Sequence, residues 1–518
     1  MPRIAARVRT RPQAKERRTL LVHLSLLLCA SLGVTPVAHA QSQETPGTIS
    51  PEAIEQEAPL TLKEVIRTIH ERHPALMAAR LKQRGARAKV TSARGAFDLD
   101  LAASAEGYPL AGDKAYGVLD FTLTQPTTIW GLYLFAGWHG TYGYIPVYKD
   151  QWYHKVGKNF TGYKGNPEAG PVGRVHAGVA IPLLRDGATD KQRTELAKAQ
   201  VTVRQYDASL REKLLATELK AAEAYWSWLA AGMQLQIATN LLETAVIRQA
   251  QIEEKARQGA EAPIYAIENK KYLLKRQKKL VEATQKLNEY AVKLSQYWRP
   301  EDDADPQIPA TAELPSSWPP LPPLPSEEGL EQLAEDSATQ RPEWQVLQAE
   351  LDVAQLSEEL YANQLLPRLD LTAAAAQPLQ HDAKTDMRLT LAISSPLQRR
   401  EARGARQAAE AEMDRIRAEQ RLFQDQILAD IRTALIALQA AQQSVELARA
   451  ELELTRVLEE AERVQFREGS STLLIVNLRE QATADAAMSL VDAEKKLQMA
   501  YITYHLSLGQ SILSLPLP

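Results

Sequence analysis

The sequence predicts a mainly α-helical protein that also carries short membrane-type β-strands, built from a helix–strand–strand–helix unit that occurs twice. The first copy runs over about residues 60–299 and the second over about residues 330–512 of the 518. Each copy contains one very long helical segment, at 188–258 and at 401–467, which reaches roughly 100 Å at a rise of about 1.5 Å per residue. Compact enzyme domains do not contain rods of this length, and a duplicated rod with strands at one end favours a conduit.

The helical segments follow from residue composition. Residues 189–258 contain one glycine and no proline, residues 405–468 contain neither, and both stretches are dense in strong helix formers. Near its end the second long segment has the heptad spacing of a coiled coil, in which Leu447, Leu454 and Ala461 alternate with Ala450, Val457 and Val464. The shorter helical segments cover residues 62–96 and 264–298 in the first copy, and 330–366 and 472–508 in the second. In each copy the two shorter segments together match the length of the long one.

Four segments alternate with a period of two, which predicts β-strands. Strands of about ten residues with one apolar and one polar face are typical of transmembrane β-barrels. Four strands cannot close a barrel with a lumen, so we expect two or three chains to share one. The apolar faces consist of Leu99, Leu101, Ala103 and Ala105; Val175, Ala177, Val179 and Ile181; Leu369, Leu371, Ala373 and Ala375; and Leu389, Leu391 and Ile393.

An aromatic insert at 108–171 separates the first two strands and has no counterpart in the second copy. It holds 8 of the 17 tyrosines, 3 of the 8 tryptophans and 3 of the 6 phenylalanines, mixed with glycine and proline. This composition suits a membrane-interface girdle or a folded external loop, and a long decorated hairpin without a ligand would also explain it. Within the insert, residues 118–124 alternate well enough to extend a strand.

The ends and the middle of the chain predict a signal and linkers. Residues 1–40 have a basic start, an apolar run and a small-x-small pattern, which together indicate a secretory signal peptide. The sole cysteine, Cys29, lies in this segment after Leu28, which does not fit lipoprotein processing, so we expect neither lipidation nor disulfides. The remaining boundaries are an N-terminal linker at 41–59, a Pro-rich linker with nine prolines at 300–329 and a C-terminal tail at 513–518.

Charge and motifs exclude several classes of function. Without residues 1–40 the chain has 54 basic and 63 acidic residues, and this mild acidity argues against nucleic-acid binding. We find no catalytic, cofactor-binding or metal motif, since His70 and His73 lack the i, i+4 spacing of metalloproteases, and we expect no enzyme activity. The basic run at 270–279 fits a solvated face, or alternatively a face that meets an acidic partner or sets pore charge.

The order of these motifs resembles the TolC-type outer-membrane efflux and secretion factor family over roughly residues 60–512. Each motif is loose by itself, but their ordered duplication is specific. Both copies carry an opener, a motif before a strand, a strand-to-helix corner and a glycine after the long helix. In the first copy these are Leu60-Thr61-Leu62 with His73-Pro74, then Gly95-Ala96-Phe97, Ile181-Pro182-Leu183 and Gly259. In the second copy they are Arg341-Pro342-Glu343, Leu365-Leu366-Pro367, Ser395-Pro396-Leu397 and Gly469.

This resemblance implies the outer-membrane channel component of a tripartite efflux or type I secretion system, a passive exit duct. It implies a homotrimer with a twelve-stranded barrel in the lipid of the cell outer membrane and a long α-helical barrel in the periplasm. The partners would be a periplasmic adaptor (membrane fusion) protein and an inner-membrane transporter. In that family the helix turns form the tip that adaptors grip, and the matching residues are Gly259, Ala260, Glu261, Ala262, Gly469, Ser470, Ser471 and Thr472.

The pore constriction departs from one family pattern, because members with a cation-sensitive gate have acidic residues just after the second turn. Here the candidate constriction is Ile475, Asn477, Leu478 and Glu480, in which Ile475 and Leu478 are apolar. We therefore expect a hydrophobic or hydrogen-bonded gate in place of an aspartate ring. Drugs, metals and secreted proteins stay open as cargo. The alternative function is a structural periplasmic coiled-coil protein that spaces the envelope without a channel, which would need neither the strands nor the aromatic insert.

Overall fold

A computed structural model describes residues 59–108, 116–143, 173–260, 262–300, 305–323, 330–379 and 384–516. The predicted signal peptide at 1–40 lies outside the described residues. The same holds for most of the 41–59 linker and for parts of the 108–171 insert, the 300–329 linker and the C-terminal tail.

Eight α-helices are present in the described part of the chain, four in each copy of the repeat. The two long helices contain 67 and 68 residues, and the three shorter helices of each copy together come close to that length. No helix among the described residues combines the length and apolar character needed to cross a membrane. The helices are α1 Leu62–Arg72, α2 Pro74–Arg94, α3 Lys191–Arg257, α4 Pro263–Ser295, α5 Leu330–Gln340, α6 Pro342–Gln364, α7 Arg400–Arg467 and α8 Leu473–Ser507.

The first helical segment of each copy is split in two, which differs from the continuous segments predicted at 62–96 and 330–366. Proline lacks the backbone N–H that a continuing helix would need, so each break falls immediately before Pro74 or Pro342. His73 is extended at the first break, and its Nδ1 accepts a hydrogen bond from the backbone N–H of Ala75 at 3.2 Å. The proline-containing part of the opener is thus a helix break in both copies.

Six β-strands form one antiparallel sheet in chain order within the described residues. The prediction of four strands is wrong, because the insert at 108–171 contributes two more that lie between the first and last strands of the first copy. The second of these was missed because Tyr133 and Phe135 place aromatic side chains on the polar face and Gly140 interrupts the apolar face. The strands are β1 Asp100–Tyr108, β2 Tyr116–Pro126, β3 Tyr133–Gly143, β4 Arg174–Pro182, β5 Arg368–Pro378 and β6 Asp386–Ser394.

The main hydrophobic core lies midway along the long helices, where buried residues of α1, α3, α4, α5, α7, α8 and the C-terminal end form one cluster. Trp226 and Trp228 of α3 are almost completely buried there. The Pro-rich connector packs onto this core and does not act as a free spacer. The Trp318 ring lies 5.8 Å from the Trp226 ring, and the Gln498 side chain donates a 2.9 Å hydrogen bond to the Pro319 carbonyl. The repeats are therefore joined by a packed connector.

The sole glycine of α3, Gly232, lies where this connector crosses the rod. A Cβ at Gly232 would lie 2.7 Å from Leu314 Cδ1, so the absence of a side chain lets the connector approach the helix closely. The glycine that appeared as a minor exception in the sequence of the rod is explained by this packing.

Candidate functional site

The turn between α3 and α4 and the turn between α7 and α8 lie at the same end of the helices, away from the sheet. Arg248 lies nine residues before the end of α3 and Glu480 seven residues after the start of α8, and their side chains are hydrogen bonded. We call this end the helical tip, defined by the described residues 258–260, 262 and 468–472.

The two turns have the same backbone geometry. Gly259 and Gly469 have φ of 75° and 79°, the left-handed conformation that glycine adopts without strain. In each turn the next backbone N–H closes the helix: that of Ala260 donates to the Lys255 carbonyl and that of Ser470 to the Gln465 carbonyl, both at 2.9 Å. The glycine caps predicted at both rod ends are present.

The residues predicted to contact an adaptor are mostly exposed at this tip. Ser471 is the exception, since it is half-buried and its hydroxyl donates to the Glu462 carboxylate. Glu261 lies outside the described residues. The exposed members are Gly259, Ala260, Ala262, Gly469, Ser470 and Thr472.

Replacing Gly469 with alanine is expected to lower the stability of the tip by about 1 kcal/mol, because an L-residue is strained at positive φ. A Cβ would meet no atom within 4 Å, so the change tests backbone strain alone. Gly404 of α7 also has open space but no positive φ, so Gly404→Ala should stabilise the helix slightly. Thermal unfolding midpoints of the two variants should therefore move in opposite directions, and a shift in the same direction would refute the strain argument.

The four candidate constriction residues lie on two different faces of α8. Ile475 and Leu478 are 38% and 64% exposed, whereas Asn477 and Glu480 are each only 2% exposed. This separation follows from the helical period of 3.6, which alternates exposed and buried positions along α8. In the single chain, an exposed apolar pair and a buried polar pair therefore lie side by side.

Glu480 is the centre of a buried ionic cluster that joins α8 to the three other helices of the tip. Its Oε2 accepts hydrogen bonds from Arg248 of α3 at 2.8 Å and from Arg276 of α4 at 2.9 Å. Its Oε1 accepts one from Arg463 of α7 at 3.2 Å and a second from Arg248. The Asn477 side-chain oxygen also accepts from Arg248 at 2.9 Å. One carboxylate thus bridges three guanidinium groups from three helices.

The environment of the cluster favours a charged Glu480. Burial by itself raises the pKa of the Glu480 carboxyl, but hydrogen bonds and charges from Arg248 and Arg276 outweigh it, so the pKa lies below its ordinary value. Arg276 is 3% exposed, and its burial lowers its pKa despite the neighbouring Glu480. The Arg463 side chain also pairs with Glu459 at 2.6 Å, which adds a second carboxylate to the cluster.

Acid is expected to weaken the tip through Glu480. Its folded-state pKa lies below the ordinary value of 4.5, so the stability from its charge is fully present above pH 4.5. That stability is lost as the pH falls through the lowered folded-state value. The difference in thermal unfolding midpoint between the native chain and the E480Q variant should be largest near neutral pH and shrink below pH 4.5. A difference that does not change with pH would contradict the ionic role of Glu480.

Sequence reasoning did not identify the arginine partners of Glu480. Arg276 belongs to the basic run at 270–279 that was predicted as a solvated face, yet it is almost completely buried. Lys279 of the same run is partly exposed and pairs with Asp485 of α8 at 3.1 Å. The solvated-face prediction is therefore wrong for Arg276. The partner carboxylate is about 200 residues away in sequence, so no local pattern could have marked it.

Two apolar stripes stay exposed on the helices of the single chain. On α7 the predicted heptad points away from α8, since Leu447 and Leu454 are 72% and 66% exposed, and the buried contacts of α7 with α8 come from Val445 and Ala448 instead. On α4 a second stripe has the same spacing of seven residues, and it comprises Ile267, Leu274 and Val281.

The two histidines weighed as metal ligands have other partners. His70 Nε2 lies 2.5 Å from Oε1 of the buried Glu218. Glu218 also accepts hydrogen bonds from the Ser511 hydroxyl at 2.6 Å and from the backbone N–H of Ile512 at 2.9 Å. His73 caps α2, and its ring stacks on Tyr297 at 5.7 Å. The described residues contain no group of three or more candidate ligands for a metal.

The sequence matches no protein-family model and no curated protein. Its structure is similar to the outer-membrane protein VceC from Vibrio cholerae, with 15% identity, a TM-score of 0.59 and coverage of 87% of this chain and 96% of that one. It is also similar to the CmeC outer-membrane channel of Campylobacter jejuni (13% identity, TM-score 0.60, 92% and 94% covered). A membrane protein from Pseudomonas aeruginosa gives 14% identity, a TM-score of 0.62 and 89% and 99% coverage. The fold class predicted from the sequence is confirmed.

Proposed function

We propose that this chain, which has the fold of these membrane proteins, is the outer-membrane channel component of an efflux or secretion system and acts as a passive exit duct. The observation that carries the proposal is a six-stranded sheet with one apolar face, joined to helices of about 100 Å whose far end holds two exposed turns. No catalytic step is part of it, and neither a cofactor nor a metal is required.

Strand length and face polarity support a location in the cell outer membrane. The six strands are 9 to 11 residues long, the length of a tilted strand that crosses a bilayer. On β6 the residues Met387, Leu389, Leu391 and Ile393 are all 65% or more exposed in the single chain. Lipid is the environment that suits this face, and the helices would then extend into the periplasm.

The two exposed stripes support assembly of identical chains into a trimer. α4 runs away from the tip and α7 runs toward it, so the stripes are antiparallel. Leu274 and Leu454 lie 11 and 13 residues from the tip ends of their helices, and Val281 and Leu447 lie 18 and 20 residues from them. This match in height would let α4 of one copy pack against α7 of the next as a coiled-coil seam. Closure by repeated seams of this kind forms a ring.

The tip supports a role in docking and gating. Its exposed turn residues would meet a periplasmic adaptor, and the transporter behind the adaptor would supply the energy. The Glu480 cluster would hold α8 against α3, α4 and α7 in the closed duct, and the exposed Ile475 and Leu478 would line the narrow lumen. Adaptor binding would open the tip by separating these helices. The predicted constriction is thereby divided into two lining residues and two locking residues, Asn477 and Glu480.

Bilayer conductance and protein capture test this proposal. The purified full-length protein should migrate as a heat-modifiable trimer and form discrete channels in planar bilayers. A photo-crosslinker at Ser470 should capture an adaptor protein in cells, whereas the same group at the lipid-facing Leu389 should not. A freely soluble monomer would overturn the proposal. A folded trimer that never conducts would favour the envelope-spacer function instead.

A further inference from the structure

The sheet has two more strands than the sequence predicted, and both lie inside its pairing order. β1 pairs with β2, β2 with β3 and β3 with β4, each over seven or more residues in continuous antiparallel register. If the 116–143 hairpin were a decoration outside the sheet, β1 would pair directly with β4. It pairs with β2 along its whole length, so the hairpin is part of the wall.

The hairpin also spans the full height of the sheet. β2 and β3 each contain 11 residues, as many as β5. Their connecting turn is held at the end of the sheet that joins the helices. Gln125 there donates a 2.6 Å hydrogen bond to the Phe97 carbonyl, and Gly131 packs so closely that a Cβ would lie 2.4 Å from the Asp186 carbonyl oxygen. The hairpin therefore begins where the strands leave the helices and continues to the far end.

Both faces of the sheet continue without a break through the hairpin. Residues that are direct partners in register project on one face, and Phe121 of β2 is paired with Ala103 of β1 and with Trp138 of β3. On the opposite face, Nδ1 of His139 on β3 lies 2.7 Å from Oδ1 of Asp120 on β2. The apolar face thus runs from Leu101, Ala103 and Ala105 through Leu119, Phe121, Leu123, Leu134, Ala136 and Trp138 to Met387, Leu389, Leu391 and Ile393.

The outer edges of the six-stranded sheet are matched to each other. β1 and β6 are both nine residues long and have no further neighbour in the described part of the chain. An antiparallel sheet with an even number of strands has edges that run in opposite directions, so β6 of one copy can pair antiparallel with β1 of the next. Closure of this kind leaves no free edge.

We propose that the hairpin β2–β3 is a membrane-spanning part of the barrel, so that three copies of this chain close an eighteen-stranded barrel whose apolar face meets outer-membrane lipid. The inference rests on the proposed function and replaces the twelve strands that the family resemblance implied. Because barrel diameter grows roughly in proportion to strand number, this barrel is about 1.5 times as wide as one of twelve strands.

Paired arginine substitutions test the hairpin separately from the channel. F121R on the apolar face of β2 should reduce heat-modifiable trimer in the outer-membrane fraction by about tenfold or more, whereas T122R on the polar face should not. L391R and T390R on β6 provide the same comparison at a strand outside the hairpin. A hairpin outside the barrel would tolerate F121R while L391R still abolished the trimer, which would overturn the inference but not the channel. Tolerance of both F121R and L391R would overturn the proposed function itself.

A direct strand count provides the second measurement. Electron cryomicroscopy of the full-length protein in lipid nanodiscs should resolve eighteen strands around the barrel. Twelve strands with the 116–143 segment outside them would overturn the inference. Such a map would leave the channel function intact.

Discussion

Replacing Glu480 with alanine is expected to open the helical tip. The substitution leaves Arg248, Arg276 and Arg463 facing one another without the carboxylate that joins them. Removing one partner of a buried ion pair costs about 3–5 kcal/mol, because here Arg248 and Arg276 stay buried without their carboxylate partner. The cost falls on the arrangement in which α8 packs against α3, α4 and α7, since separated helices would expose all of these side chains to water.

The expected size of this effect follows from the same figure. About 3 kcal/mol shifts an equilibrium between a packed and a separated tip by roughly two orders of magnitude. The E480A protein should therefore conduct in planar bilayers far more often than the native protein. Cells that carry it should become sensitive to large antibiotics that the outer membrane normally excludes. Amide hydrogen exchange of residues 473–485 should also accelerate, which gives a measurement independent of conductance.

A matched control is available on the same two helices. Lys279 of α4 pairs with Asp485 of α8 at 3.1 Å, but both side chains are partly exposed to solvent. Exposed pairs contribute about 0–1 kcal/mol, so D485N should leave conductance and exchange nearly unchanged. If D485N and E480A had equal effects, or if E480A stayed closed with slow exchange, the buried cluster would not be what holds the tip together.

The parts of the fold that were predictable from the sequence are governed by local chemistry. The rods follow from long runs of helix formers without proline, and their ends follow from Gly259 and Gly469, whose positive φ is a local requirement. The breaks at Pro74 and Pro342 are just as local, although the prediction passed over them. Strand alternation at Leu369–Ala375 was readable because one face is uniformly apolar.

The parts that were missed depend on contacts between distant residues. β3 alternates poorly because Tyr133 and Phe135 lie on the polar face of the sheet and Gly140 lies on the apolar face, so its pattern makes sense only within the sheet. Glu480 and Arg276 were visible as charges, but their pairing spans 204 residues. Once buried, such charged groups are no longer solvated and instead hold the helices together, and their burial depends on how the four helices pack. The sequence alone could place Glu480 near the tip but could not give its partners.

Arginine on the apolar face of β6 is expected to prevent assembly in the outer membrane. Leu391 is 65% exposed in the single chain and lies near the middle of its strand, paired with Leu371 of β5. A charged side chain at the bilayer midplane costs about 2–4 kcal/mol, and in a trimer the cost recurs in each copy. The L391R chain should be made and exported but should accumulate as monomer, measured by fractionation and by gel migration with and without heating.

A control at the neighbouring residue, Thr390, shows whether loss of the trimer in L391R results from a charge on the lipid-facing side of β6. Thr390 pairs with Thr372 on the opposite, polar face of the same two strands, so T390R introduces the same side chain one residue away. Because successive residues of a strand project on opposite faces, the guanidinium of the T390R variant would face water inside the barrel and the trimer should form normally. Equal loss in both variants would indicate that β6 does not tolerate a large side chain on either face. Equal tolerance would mean that the face of Leu391 does not meet lipid, and the membrane location of the sheet would have to be abandoned.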